Sequence, residues 1–381
     1  FNGFLSGVSL SGNRFFYTNI LESGGHATRQ EDRRVPCCHG SVARTIPQVP
    51  RYMYAHTDKD IYVPLYASNS TTVQLPGGRV RVEQQTLYPF EGKVRITLQP
   101  AKTGQKFGLR LRIPTWAREK FMPGALYRFV EPPTEKWSIQ VNGKPVEATL
   151  QKGFALVERS WNPGDKVELN LPMPVRFSTC IDKVEANQGR LAVTRGPLVF
   201  CAEEVDNNGP VRRLSIPVVP GEDQVTVSTM KDGALKGMPM IQVPGVEKVD
   251  DLERPVGIKL VPYFSWENRG AKSMSVWISQ GEDEDAAPIK WHVAKEFKGI
   301  PRSRPGPQTE MILENHSGRE LKLYWISYSG KRQAYGRIKP GETRPQGTYA
   351  NSTWVVTDEN DKLLGYFIAG HQVSRALIPK Q

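Results

Sequence analysis

The 381-residue chain is expected to be mainly β, with a short helical beginning followed by small sandwiches in series. Three observations predict this. From Tyr62 onward, apolar and polar residues alternate in short runs, and turn signals recur about every ten residues. Gly and Pro are abundant, at 34 and 30 residues, which suits a chain of many turns. Helical spacing is confined to one stretch near the start.

That stretch follows the turn Pro36-Cys37-Cys38-His39-Gly40. Ser41 is placed to cap a helix whose apolar positions are Val42, Ile46, Val49 and Met53. Pro47 and Pro50 fall inside the pattern, so the helix must kink, break or pass into a loop. Next, Phe107, Leu109, Leu111 and Ile113 alternate with Gly108, Arg110 and Arg112, the period of a half-buried strand. Residues 138–141 and 145–148 flank Asn142-Gly143, a strong hairpin signal. Val167, Leu169, Leu171 and Met173 alternate after the turn at 161–165. Residues 189–203 and 258–278 read as further strands. Residues 281–288 are acidic and unpatterned, and residues 301–308 hold three prolines, so 281–307 is expected to be linker. Beyond it Leu321, Leu323 and Trp325 alternate, with strands expected around 354–357 and 363–368.

Composition narrows the function classes. Hydrophobic residues are 38% and charged residues 24%, and no apolar run approaches the ~18 residues of a membrane-spanning helix. No span is expected. The start at Phe1 carries neither an initiator Met nor a signal peptide, and reads as if cut from a longer chain. The net charge of +12 invites a nucleic-acid reading, but it is spread as +3, +6 and +3 over residues 1–55, 56–305 and 306–381. No block of like charge concentrates it, so a solvated basic surface is expected and no nucleic-acid partner.

Four cysteines exclude a disulfide scaffold. Cys180 and Cys201 sit in apolar settings, as two buried thiols or as one disulfide across neighbouring strands. Cys37-Cys38 differs, because adjacent cysteines rarely meet disulfide geometry. Consecutive thiols suit a thiolate-rich metal site or a reactive cysteine. A metal would hold a thiolate at neutral pH, whereas an isolated thiol near pKa ~8.5 is ionised only to a few per cent. No third cysteine or suitably spaced histidine lies near, and Glu22, Glu31 and Asp32 read as loop acids. No nucleophile elbow, phosphate loop or zinc-protease motif appears.

The opening stretch 1–19, from Phe1-Asn2-Gly3-Phe4 to Tyr17-Thr18-Asn19, resembles glycoside hydrolase family 127, whose known activity is β-L-arabinofuranosidase. The likeness continues through Arg33-Arg34-Val35-Pro36-Cys37-Cys38, Arg112-Ile113-Pro114-Thr115-Trp116-Ala117, Arg195-Gly196-Pro197-Leu198-Val199 and residues 260–270. These anchors run in family order from residue 1 to about 280. The resemblance implies an (α/α)6 barrel followed by β-sandwiches, of which this chain carries the last barrel segment. The implied domains are 1–55, barrel piece; 56–205, a β-sandwich; 206–280, a second sandwich region whose last strands may return to the first; 281–307, linker; and 308–381, a small β-sandwich.

In that family the first cysteine of the pair is the nucleophile and the second a zinc ligand. Carried over, Cys37 would attack the anomeric carbon with net retention, and Cys38, with Cys37, would hold Zn2+. The family's other ligands, a Glu and a Cys two residues apart, and its acid/base Glu fall upstream of Phe1. This chain is therefore expected to hold only part of the site and to be inactive alone, as one segment of a longer enzyme or with an N-terminal polypeptide completing the barrel. The family's usual Pro-Pro-Asn after the cysteines is His39-Gly40-Ser41 here. The implied substrate is a plant-type arabinoside, and the expected location is secreted or periplasmic.

A second resemblance covers 312 to about 371. Leu323-Tyr324-Trp325, Tyr328-Ser329-Gly330, Tyr335, Lys339-Pro340-Gly341-Glu342, Thr348-Tyr349 and Trp354 resemble the von Hippel–Lindau β-domain at its spacing. It implies a hydroxyproline slot with Trp325, Tyr335 and Trp354 as aromatic walls. Thr348 replaces a Ser and keeps a hydroxyl, and Ser352 stands where that family has a His. Two function classes follow: a glycosidase, or a non-catalytic multi-β-domain protein that binds glycan or hydroxyproline-rich protein.

Overall fold

In the computed structural model, residues 1–31, 37–118, 124–132, 134–249, 252–281, 288–294, 296–306, 308–370 and 373–380 are described. The chain is mainly β and divides into two compact units. The first comprises Phe1–Leu5, Asp32–Lys183 and Val193–Val199; the second comprises Ser6–Glu31, Val184–Ala192 and Phe200–Gln381. The expected barrel piece 1–55 is thus shared between the two units, and strands on both sides of residue 205 join one sheet.

The first unit is a β-sandwich. Its six-stranded sheet runs Lys144–Val146, Ser138–Val141, Asp165–Asn170, Lys93–Pro100, Gly78–Thr86, Asn69–Leu75. Its five-stranded sheet runs Thr149–Gln151, Phe154–Trp161, Gln105–Arg112, Asp60–Val63, Ala55–His56. Every pairing is antiparallel except Asp60–Val63 with Gln105–Arg112. The period-2 residues meet between the sheets: Leu109, Leu111, Ile113, Val167 and Leu169 are fully buried beside Ile96, Leu98 and Trp161. Asn142 and Gly143 both take positive φ, 52° and 76°, the conformation a two-residue hairpin with right-handed strand twist needs. The Asn142 amide donates to Asp165 Oδ1 at 2.8 Å, and its carbonyl accepts from Lys166 N at 2.9 Å. Those two bonds fix the turn against the neighbouring strand.

The helical segment departs from expectation. The α-helix is Cys37–Thr45, so Ser41 lies inside it and the cysteines form its first turn. The N–H groups without an intrahelical acceptor belong to the turn that starts at Cys37, so Ser41 is not in a capping position. Pro47 would clash with the carbonyl of Ala43 in an α-helix, and the chain continues instead as the 3-10 helix Ile46–Tyr52. Of the four predicted apolar positions only Met53 is buried, while Ile46 and Val49 are exposed beside Tyr52.

In the second unit, the strand order is Glu22–Gly24, Ser273–Ser275, Leu198–Glu203, Leu252–Pro262, Pro239–Val249, Leu214–Ser215, Trp277–Ser279, Arg190–Arg195. The N-terminal stretch is anchored by Arg29, which is 2% exposed. Its guanidinium lies 4.5 Å from the Phe16 ring centre, bonds the Trp266 carbonyl, and pairs with Glu267 at 3.2 Å. Phe16 in turn stacks on Trp266 at 4.8 Å.

The same unit holds the C-terminal module. A five-stranded sheet (His292–Val293, Leu363–Ile368, Thr353–Thr357, Leu321–Ile326, Arg332–Ile338) faces a three-stranded one (Thr343–Tyr349, Gln308–Asn315, Ser374–Ile378). Met311, Leu321, Leu323, Trp354, Phe367 and Ile378 fill the core between them. The segment read as linker is only partly so. Residues 288–294 and 296–306 are packed on this module: Trp291 meets Phe367 at 4.9 Å, and buried Ser303 bonds the Ile326 carbonyl and accepts from Thr353 N at 2.8 Å. The acidic residues 282–287 lie outside the described residues.

One pH dependence follows from this module. Arg375 donates to both oxygens of Glu314 at 2.8 and 3.1 Å, and these bonds hold the Glu314 carboxyl below its ordinary value against the opposing effect of burial. A depressed carboxyl contributes stability that is complete above the unfolded value and lost as pH falls through the folded one. Arg375→Met is expected to flatten the fall in urea midpoint between about pH 6 and about pH 2.

Candidate active site

Cys37 and Cys38 open the nine-residue helix, and both are exposed. Their sulfurs face one another at 3.7 Å. No acidic residue lies in that first turn. The spacing tests the implied metal. Two Zn–S bonds of ~2.3 Å at a tetrahedral angle hold their sulfurs roughly 3.8 Å apart, so the pair fits as two donors on one ion. Among the described residues no group of three or more His, Cys, Asp or Glu is arranged for a metal, so the set is not completed within them.

The neighbouring candidates do not join the pair. Glu22 forms an ion pair with Arg190 at 2.9 Å, and Glu31 is exposed. Asp32 and the side chain of His39 lie outside the described residues. Cys180 and Cys201 are buried thiols, neither in a disulfide. Burial pushes both thiols up, Cys201 well above its ordinary value, which makes them poor nucleophiles.

The five residues of the implied hydroxyproline slot are brought close in the C-terminal module. Trp325 and Trp354 stand opposite one another on adjacent strands. Tyr335 sits edge-on to Trp354 with ring centres 4.8 Å apart. Trp354 Nε1 donates to Thr348 Oγ1 at 2.8 Å. Exposure divides the set: Tyr335 is exposed, Trp325 half-buried, Thr348 and Trp354 buried, and Ser352 wholly buried. Ser352 Oγ has no hydrogen-bond partner among the described residues.

Family comparison places these sites. Residues 1–51 match the β-L-arabinofuranosidase GH127 catalytic domain, 60–173 the GH127 middle domain, and 175–279 the glycoside hydrolase family 127 C-terminal domain. The three matches follow one another along well over half of the chain. The chain belongs to glycoside hydrolase family 127. Residues 297–365 match the VHL beta domain, so this family 127 chain carries an additional module of that type.

Relatives agree. The non-reducing end β-L-arabinofuranosidase of Bifidobacterium longum subsp. longum is 31% identical over 307 residues, 73% of this chain and 44% of that protein. A solved GH127 β-arabinofuranosidase is 35% identical with a TM-score of 0.68, over 73% of this chain and 44% of that one. The GH127 β-L-arabinofuranosidase Ara127N from Geobacillus stearothermophilus T6 is 30% identical with a TM-score of 0.62, over 72% and 44%. This family 127 chain therefore spans less than half the length of the relatives it matches. Cys37 and Cys38 fall within the part that matches the catalytic domain.

Proposed function

We propose that this chain supplies the cysteine part of the active site of a retaining β-L-arabinofuranosidase acting on plant-type arabinosides, in a secreted or periplasmic setting. The observation that carries the reading is the 3.7 Å cysteine pair at a helix start inside the catalytic-domain match. Cys37 attacks the anomeric carbon as the glycosidic C–O bond breaks, forming a thioglycoside with inversion. The leaving oxygen takes its proton from a general acid outside the residues described. Water then displaces the Cys37 sulfur with a second inversion, giving net retention. Cys38 and Cys37 are the residues that would hold Zn2+, which when bound keeps a thiolate ionised at neutral pH.

Zinc content tests the donor assignment. Protein containing the whole barrel is expected to carry one zinc per active site, with most of it lost on Cys38→Ser. Retention of full zinc in that variant would remove Cys38 from the ligand set.

The Trp354–Tyr335–Thr348 cluster, with the Ser352 hydroxyl two residues before Trp354 and without a partner among the described residues, favours a second reading for residues 308–381. A hydroxyproline ring stacks on an aromatic wall while its hydroxyl needs a hydrogen-bond partner. A module that grips hydroxyproline would keep the catalytic part close to arabinosylated, hydroxyproline-rich protein by raising effective concentration. The full chain is expected to bind a hydroxyproline peptide about tenfold more tightly than its proline twin, equivalent to ~1.4 kcal/mol. Tyr335→Ala, at an exposed position, is expected to erase the difference. Equal affinities for the two peptides in the parent chain would exclude the slot.

A further inference from the structure

A cleft of about 380 Å³ lies within the second unit, away in sequence from both the cysteine pair and the hydroxyproline slot. Several separate stretches build it: residues 18–22 with His26 from the N-terminal segment, Asn187 from a short 3-10 helix, Arg190 and Trp277 from two strands of the large sheet, and Thr309 with Glu310 from the appended module. Its volume lies within the range of small-ligand sites.

The carboxylates of this cleft already hold donors. Glu22 pairs with Arg190 at 2.9 Å. Glu310, only 2% exposed, accepts from Gly24 N at 2.9 Å and bonds the His26 imidazole, both through Oε2. A ligand entering here meets hydrogen-bonded carboxylates, which favours a neutral hydroxyl donor over a cation. Hydrogen-bonding capacity is nonetheless left over. Glu310 Oε1 and Thr309 Oγ1 are buried with no partner among the described residues, on consecutive residues that line the same cleft. Buried polar atoms nearly always have a partner, so these two call for hydrogen bonds that the described residues do not make. The remaining wall is apolar: Ile20, Leu21, Trp277 and Val373 offer a surface for C–H groups. A ring with hydroxyls on its edge and C–H bonds on its face satisfies both halves.

We propose that this cleft is an accessory subsite for one neutral monosaccharide unit, with Trp277 under the sugar ring and Thr309 and Glu310 bonding its hydroxyls. The subsite is independent of the cysteine chemistry, and it joins the hydrolase part of the chain to its appended module. Gly24 is part of the device. A Cβ there would fall on the Glu310 carboxylate, so only glycine leaves that side chain in place.

Saturation-transfer NMR and calorimetry of the full chain with L-arabinose, D-galactose and D-xylose, each alone, test the assignment. At least one sugar is expected to bind at millimolar concentration, and to bind a Cys37→Ser, Cys38→Ser double variant equally well. Trp277→Ala is expected to weaken it about tenfold. Glu310→Gln and Thr309→Val, which keep side-chain size, are expected to weaken it severalfold with unchanged circular dichroism. The shape-conserving pair keeps the test decisive if Trp277→Ala does not fold. Absence of binding by all three sugars would overturn the subsite. So would binding that the cysteine variant abolishes, or affinity untouched by both Glu310→Gln and Thr309→Val.

Discussion

Cys37→Ala is expected to abolish arabinofuranoside hydrolysis in a protein that contains the whole barrel, with a loss on the order of 10⁶-fold in kcat, the scale of removing a covalent nucleophile. Alanine deletes the attacking sulfur and leaves the helix intact, because position 37 is exposed and alanine is the best helix former. Little change in Tm is therefore expected beside the lost turnover. Cys37→Ser keeps an oxygen at the same place, but a serine hydroxyl is far less ionised than a cysteine thiol and is a weaker nucleophile at neutral pH. A large loss is expected there too. The measurement is steady-state hydrolysis of an aryl β-L-arabinofuranoside together with a thermal melt. A variant that turns over within about tenfold of the parent would leave Cys37 no nucleophilic role.

The second large effect concerns stability. Arg269 bonds Glu203 at 2.6 Å and Asp206 at 2.8 and 2.5 Å, and Glu203 is 2% exposed. Burial first, and the Asp206 charge beside it, push the Glu203 carboxyl up, with the Arg269 hydrogen bond opposing them. Burial likewise works against the Arg269 charge, but its bonds to Asp206 and Glu203 outweigh that and hold its pKa above the ordinary value. Arg269→Met strands two carboxylates without their cation and is expected to cost about 3–5 kcal/mol at neutral pH. The sign with pH follows from Glu203. A carboxyl raised in the folded state binds its proton before the unfolded chain does, so stability recovers as pH falls from above the folded value toward the unfolded one. The penalty is therefore expected to shrink on acidification. Urea melts of parent and variant across that range measure it, and a pH-independent penalty would contradict the role given to Glu203.

What sequence reasoning could see depended on how far apart the determining residues lie. Leu109, Leu111 and Ile113 reveal their strand because period-2 burial is written locally, and Asn142-Gly143 reveals its turn because few other pairs take positive φ at both positions. The helix start was misplaced at Ser41, since capping preference is weaker than the backbone's freedom to begin one turn earlier at Cys37. Residues 288–306 read as linker because their partners, Phe367 for Trp291 and Thr353 for Ser303, lie more than fifty positions away or on another strand. The cysteine pair was legible for the opposite reason: its two donors are neighbours in the chain. The cleft around Glu310 leaves no local trace at all. Its residues come from several distant stretches, and Glu310 gains its meaning only when folding buries it against Gly24 and His26.

The most direct measurement of the central claim is the site of the glycosyl–enzyme bond. Protein with a complete barrel, quenched with acid during turnover of an activated β-L-arabinofuranoside and then digested, is to be mapped by mass spectrometry. The account predicts one anhydropentose on the peptide that contains Cys37, held through sulfur and absent from Cys37→Ala. An anhydropentose on a carboxylate, or retaining hydrolysis by the Cys37→Ala protein, would contradict it.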